Sequence, residues 1–210
     1  MALKKSNFLT LFLAIIFSSL NGYAQDNLSF TVNGVTFNMI FVEGGTFVMG
    51  CTPEQGNCRP GERPTHKVTL SDFYMGEFQV TQELWYVIMR NTLRQQLYVQ
   101  GNEDEESFGD NIVGFTAKDY AKVMPLNGEG NNFPMYFINY DACELFCHRL
   151  NQLLAAQLPE GYKFRIPTEA QWEYAARGGK KSKDYRYSGS DMIDEVAWYN
   201  ANSNGTTQGP

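Results

Sequence analysis

Four cysteines, two histidines and one dense acidic run are the side chains of this 210-residue sequence with the strongest chemistry to offer. Cys51 and Cys58 enclose a short loop, CTPEQGNC, rich in Pro and Gly, and a local disulfide between them is one reading of that spacing. Cys143 and Cys147 lie four apart on an expected helix, where the fixed geometry disfavours a bond between them. Core packing suits Cys143, and packing or a disulfide to a distant partner suits Cys147. A metal site there would need more ligands, and His66 and His148 show no ligand spacing. Glu103-Asp104-Glu105-Glu106 lacks the spaced oxygens and turn glycine of a calcium loop and reads as a solvated stretch. No nucleophile elbow, phosphate loop, dinucleotide fingerprint or His-Glu-x-x-His occurs. From residue chemistry alone the chain therefore names no reaction, and no catalytic or cofactor-binding residue is assigned.

The elements that must carry these residues are legible from periodicity and caps. Residues 29–42 alternate apolar and polar around Asn33-Gly34, which predicts a hairpin. Glu43-Gly44-Gly45 breaks that strand, residues 46–49 resume it, and residues 66–80 hold two more short strands. Thr81 is expected to cap a helix to about Arg90, with Trp85, Ile88 and Met89 inward. Asp141, with Glu144 in capping-box spacing, is expected to open a second helix whose inner face is Cys143, Phe146, Cys147, Leu150 and Leu154. A third runs from Thr168, boxed by Gln171, to Arg177 and Gly178, with Trp172, Ala175 and Ala176 as its buried side. Residues 92–132 and those after Arg177 read as long irregular stretches.

Composition sets the frame. Hydrophobic residues at 43% and aromatics at 14% are enough to build a packed core, and the length suits one α+β domain. Lys4-Lys5, the apolar run 8–17 and the small residues Gly22 and Ala24 form a signal peptide, residues 1–24, shorter in its apolar run than the roughly 20 residues of a membrane span. The expected mature part is residues 25–210, exported to a periplasmic or extracellular space and free of the membrane after cleavage. Without Lys4 and Lys5, 15 basic residues face 23 acidic ones, a net charge of −8 that excludes nucleic acid and anionic membrane as partners.

Three blocks then carry a resemblance. FNMIFVEGGTFVMG (37–50) with ERPTHKVTLSDFYMGEFQVTQELW (62–85), FPMYFINYDACELFCHRLN (133–151), and above all YKFRIPTEAQWEYAARGG (162–179) resemble the formylglycine-generating, or sulfatase-modifying factor, family, in that family's order. The resemblance implies a C-type lectin-like fold, incomplete at its C-terminus because the chain stops before the family's Gly-Asn-x-Trp-Glu-Trp segment. It implies an activity, oxidation of a sulfatase cysteine to formylglycine with O2 and copper(I) held by two thiolates, and these four cysteines do not match the catalytic positions. The implied partner is a polypeptide, sulfatase-like or a surface protein. Calcium is implied as a structural ion: Ala201-Asn202 imitates one ligand position, making Asn202 the metal candidate, while a second register places Ala197-Trp198 there and removes it. By resemblance Cys147 matches a position that pairs with a distant C-terminal cysteine in some members. The other reading is a non-catalytic binding or surface-assembly module on the same scaffold.

Overall fold

A computed structural model describes residues 13–16, 26–56, 58–93, 95–96, 128–199, 201–204 and 208. Seven strands and three helices organise them: β1 (Ala14–Ile16), β2 (Leu28–Val32), β3 (Val35–Val42), β4 (Gly45–Met49), β5 (His66–Leu70), β6 (Phe73–Gly76), α1 (Gln82–Met89), α2 (Tyr140–Leu153), β7 (Phe164–Arg165) and α3 (Glu169–Ala176). A five-stranded sheet runs in the order β2-β3-β6-β1-β7, antiparallel at every pairing, and β4 and β5 form a separate antiparallel pair.

The hairpin of β2 and β3 turns at Asn33 and Gly34, both at positive φ (49° and 87°), which the Asn-Gly pair tolerates at little cost. Glu43 and Gly44 separate β3 from β4, and Gly44 and Gly45 are both glycine for a steric reason. A Cβ on Gly44 would lie 2.4 Å from the Leu70 carbonyl oxygen, and one on Gly45 would lie 2.7 Å from the Tyr174 hydroxyl.

Strand β6 divides the apolar interior in two. Its Tyr74 faces a large cluster under α1 and α2, where the indole of Trp85 stacks on Phe146 at 5.2 Å and 7° and where Phe30, Phe37 and Phe164 meet edge and face. Phe73 and Met75 face a smaller cluster completed by Tyr174 of α3. The alternation is the ordinary strand period of two, here buried on both sides.

The helices follow their caps, with two corrections to the sequence reading. Thr81 accepts from the Leu84 N–H and opens α1, which closes at Arg90 in the left-handed region. Helix α2 opens two residues earlier than expected: Asn139, not Asp141, accepts from the Ala142 N–H. Asp141 then sits in the first turn, where its charge favours the helix dipole, and Glu144 interacts with the Tyr140 hydroxyl instead of closing a box. Helix α3 has the expected Thr168–Gln171 capping box, yet its buried face is Gln171 and Tyr174. Trp172 is 49% exposed, because the eight-residue helix turns Tyr174 inward onto Phe47 and Phe73, leaving Trp172 off that stripe.

The third difference concerns the leader. Residues 14–16, inside the segment read as a signal peptide, lie between β6 and β7 as β1, and Leu13 is buried in the main core. The acidic run 103–106 lies outside the described residues.

Removing the indole at the centre of the main core should cost stability without changing the fold. Trp85→Ala is expected to lose about 3–5 kcal/mol, read as a lower urea midpoint at unchanged slope.

Candidate functional site

All four cysteines fall in described regions, so their states decide what thiol chemistry the chain offers. Cys51 and Cys58 are joined in a disulfide with their Cα atoms 5.8 Å apart. Cys143 and Cys147 are unpaired, buried on the inner face of α2, and burial pushes each thiol up to about 12; the neighbouring Cys143 and Glu144 add to the rise at Cys147. A thiolate is the form that attacks or binds soft metals, and neither buried thiol is held as one. His66 at the start of β5 and His148 on α2 are both exposed. Among the described residues, no group of three His, Cys, Asp or Glu side chains is placed to hold a metal ion.

The disulfide loop is fixed to α3 by one arginine, Arg177, whose i, i+4 partner on the helix is Glu173. Glu173 does pair with Arg177, at 2.8 Å, but the guanidinium also donates to the Gly50 carbonyl at 2.7 Å and to the Thr52 hydroxyl at 2.8 Å, and meets Glu54 at 3.4 Å. The Gly50 N–H in turn donates to Glu173 Oε1 at 2.9 Å. The Glu173–Arg177 pair thus reads both backbone groups of Gly50, one residue before Cys51. The Thr52 hydroxyl donates to Glu54, and that bond, ahead of the charge of Arg177, holds the Glu54 carboxyl below its ordinary range. Lys180 pairs with Glu43 at the rim.

Two clefts flank this node. One of about 560 Å³ is bounded by Thr52, Glu54, Tyr174, Arg177, Lys180 and Asp184. The other, about 270 Å³, lies between α3 and the following chain and is lined by Trp172, Tyr185, Arg186, Tyr187, Ile193 and Val196. Trp172 is half exposed, and the Arg186 guanidinium sits 5.5 Å from the Tyr187 ring; elsewhere in the following chain Met192 and Trp198 are exposed at 62% and 65%. The cleft is a surface of aromatic and apolar side chains with a cation among them. Such surfaces supply contact area for a ligand, and they contain no nucleophile–base pair.

Residues 27–208 match the family described as the sulfatase-modifying factor enzyme 1-like domain. The chain belongs to that family. Among its relatives, the protein named chaperone protein LppX of Paenibacillus barcinonensis is 32% identical over 168 residues, covering 79% of this chain and 54% of that protein. The protein named inactive C-alpha-formylglycine-generating enzyme 2 of Bos taurus is 27% identical over 180 residues, 73% of this chain and 53% of its own. A formylglycine-generating enzyme of Streptomyces coelicolor is 24% identical over 189 residues, 78% of this chain and 54% of its own. The chain spans about half the length of these curated relatives. The solved structure of Treponema denticola variable protein 1 shares the fold at a TM-score of 0.55 and 24% identity, covering 86% of this chain and 66% of that one.

Within this sulfatase-modifying factor domain, the cysteines do not fit copper(I). One pair is oxidised and the other is held protonated in the core, so neither supplies two soft, deprotonated ligands. Asn202, the calcium candidate, is engaged within its own loop. The Asn202 side-chain oxygen accepts from the Tyr199 N–H at 2.7 Å, while its amide donates to the Ala197 carbonyl and to Asp194. Among the described residues, the Asp194 carboxylate and the Asn202 amide are thus both engaged in closing this loop.

Two outcomes follow. A thiol reagent at pH 8 should label none of the native cysteines, two after denaturation and four after denaturation with reduction; labelling of the native chain would place a thiolate where the structure has none. Because the Glu54 carboxyl is depressed in the folded state, its stabilising contribution is present above the ordinary value near 4.5 and lost as pH falls through the folded one. Glu54→Gln should therefore lower the neutral plateau of a stability–pH curve, leave its acid end close to wild type and so flatten the acid limb, as read by urea unfolding at a series of pH values.

Proposed function

We propose that this sulfatase-modifying factor domain is an exported, non-oxidising module that binds a polypeptide partner. The observation that carries the proposal is the state of the four cysteines, none of which is held as a reactive thiolate. The oxidation performed by formylglycine-generating members, which uses O2 and copper(I) on paired thiolates, therefore has no equivalent in the cysteines of this chain. What supports binding is the cleft lined by the exposed Trp172 with Tyr185 and Tyr187, beside Gln55 of the disulfide loop. Relatives named as a chaperone and as an inactive enzyme agree with a non-catalytic role. The leader at residues 1–24 and the oxidised Cys51–Cys58 pair support an oxidising compartment outside the cytosol as its place of work. No helix among the described residues is long and apolar enough to cross a membrane.

A partner of this surface is an unfolded or extended chain presenting apolar side chains, since the aromatic side chains of the cleft offer broad apolar contact. The C-type lectin-like scaffold is consistent with such reuse, because it sets the frame and leaves the surface free to vary.

The test has two arms on the same preparation. With copper(I) and O2, mass spectrometry of a cysteine-containing sulfatase-type peptide should show no conversion to the aldehyde; conversion would make this chain an oxidase. In a light-scattering assay the chain should slow the aggregation of a thermally unfolded client, and Trp172→Ala should weaken binding about tenfold or more, the size of an aromatic hot spot. A client unaffected by the wild-type chain would remove the binding reading.

A further inference from the structure

We propose that the loop closed by Cys51 and Cys58 is a redox-set latch on α3: the formed bridge keeps the loop clamped to Arg177, and reduction by a protein dithiol releases it. The latch stands on the loop's own contacts; its effect on a bound polypeptide rests on the binding reading above.

What holds the loop carries the argument. The single 3-10 turn Pro53–Gln55 between the two cysteines buries none of its residues, and neither does the turn Pro60–Glu62 that follows, so neither is anchored in a core. Polar bonds hold this stretch instead. The Cys51 N–H donates to the Glu62 carbonyl at 2.9 Å, the Thr52 N–H to Gln55 Oε1 at 3.3 Å, and the Gln55 N–H to the Thr52 carbonyl at 3.1 Å. Among the described residues, the side chains of Thr52 and Glu54 reach the body of the domain through Arg177 alone, at 2.8 and 3.4 Å. The Thr52 hydroxyl joins the two charges: it accepts from the guanidinium and donates to the carboxylate.

The bridge, seven positions long, holds the chain in the path that sets Thr52 and Glu54 under the guanidinium. Without it the residues between the cysteines regain backbone freedom, and the contacts to Arg177 must hold the loop unaided. Those contacts are half-buried, so water competes for them. The coupling runs both ways: whatever favours the clamped loop disfavours reduction of the bridge by the same factor. The reaction balances. A thiolate of the dithiol attacks one bridge sulfur, the other sulfur leaves and takes up a proton, and the second thiol of the reductant then displaces the first sulfur, two electrons and two protons passing in all. Once released, the loop withdraws Thr52, Pro53 and Glu54 from the larger cleft and Gln55 from the wall of the aromatic one.

The experiment uses the full chain, oxidised and after reduction with dithiothreitol. Reduction is expected to speed hydrogen exchange at the Cys51 and Gln55 amides about tenfold or more, with the amides of β3 and β6 unchanged. The Glu54 carboxyl, held low by the Thr52 hydroxyl first and by Arg177 after it, should move back toward its ordinary range in the reduced chain, as followed by NMR. In dithiothreitol redox buffers, Thr52→Val and Arg177→Lys should each lower the reductant needed to open half the bridges by about fivefold or more, because each weakens the clamp. Thr52→Ser, which keeps the hydroxyl, should match the wild type. Equal loop exchange and equal Glu54 titration in both redox states, an unshifted midpoint in both weakened variants, or loss of sheet protection together with the loop overturns the latch. With a disulfide-free client, the reduced chain should slow aggregation less than the oxidised one, and equal slowing by both forms overturns the link to the cleft. A client ignored by both forms while the loop signals change removes the binding reading and leaves the latch, so the two failures are read in different signals.

Discussion

The rest of the structure hangs on the burial of both faces of β6. A strand with one wet face tolerates a shift of register at modest cost, but here a one-residue slip exchanges Tyr74 with Phe73 and Met75 between two differently shaped cores. Tyr74 sits among Phe41 and Tyr162 with its hydroxyl on the Asp26 carbonyl, whereas Phe73 faces Tyr174. α1 and α2 pack over one cluster and α3 over the other, so the relative placement of all three helices is fixed by which way four consecutive residues point. The glycines at 44 and 45 serve the same end, letting β3 hand the chain to β4 close enough for Tyr174 to reach the Glu43 carbonyl.

Local features of this fold were legible wherever a few neighbouring residues decide them. The Asn33-Gly34 turn, the Thr81 and Thr168 caps and the strands flanking Ser71-Asp72 follow from side chains within three or four positions of the backbone they control. The misreadings have a common cause in tertiary competition. Asn139 and Asp141 are both competent caps, and starting the helix at Tyr140 puts Cys143, Phe146, Cys147 and Leu150 on one inward face with an acidic residue in the first turn. Trp172 is the larger ring, but Tyr174 is the one whose hydroxyl finds a backbone acceptor inside, so it takes the buried position. The leader reads as an export signal by composition, and the same β-branched, uncharged residues suit the middle of a sheet.

The site was less legible than the fold because its organising residue acts across the chain. Arg177 signals itself in sequence only as a partner for Glu173; its bonds to Gly50 and Thr52 span more than a hundred residues. A half-buried guanidinium needs several acceptors in fixed directions, and the backbone of Gly50 and the loop after it supply them. Family membership explains why these blocks recur in one order, while the chemistry open to this chain comes from the environments of its own cysteines.

The Cys51–Cys58 bridge spans seven positions, and the other two cysteines stand four apart on a packed helix. Four thiols permit three complete pairings, and in an unfolded chain the encounter of near neighbours is favoured over encounters across ninety or so residues by loop-closure entropy. On the folded α2 the remaining two are buried, one helical turn apart and facing the core, and out of reach of the loop. The arrangement therefore keeps the two sets of cysteines apart: the loop holds one short bridge, and the helix that carries the other two buries them where neither can reach it.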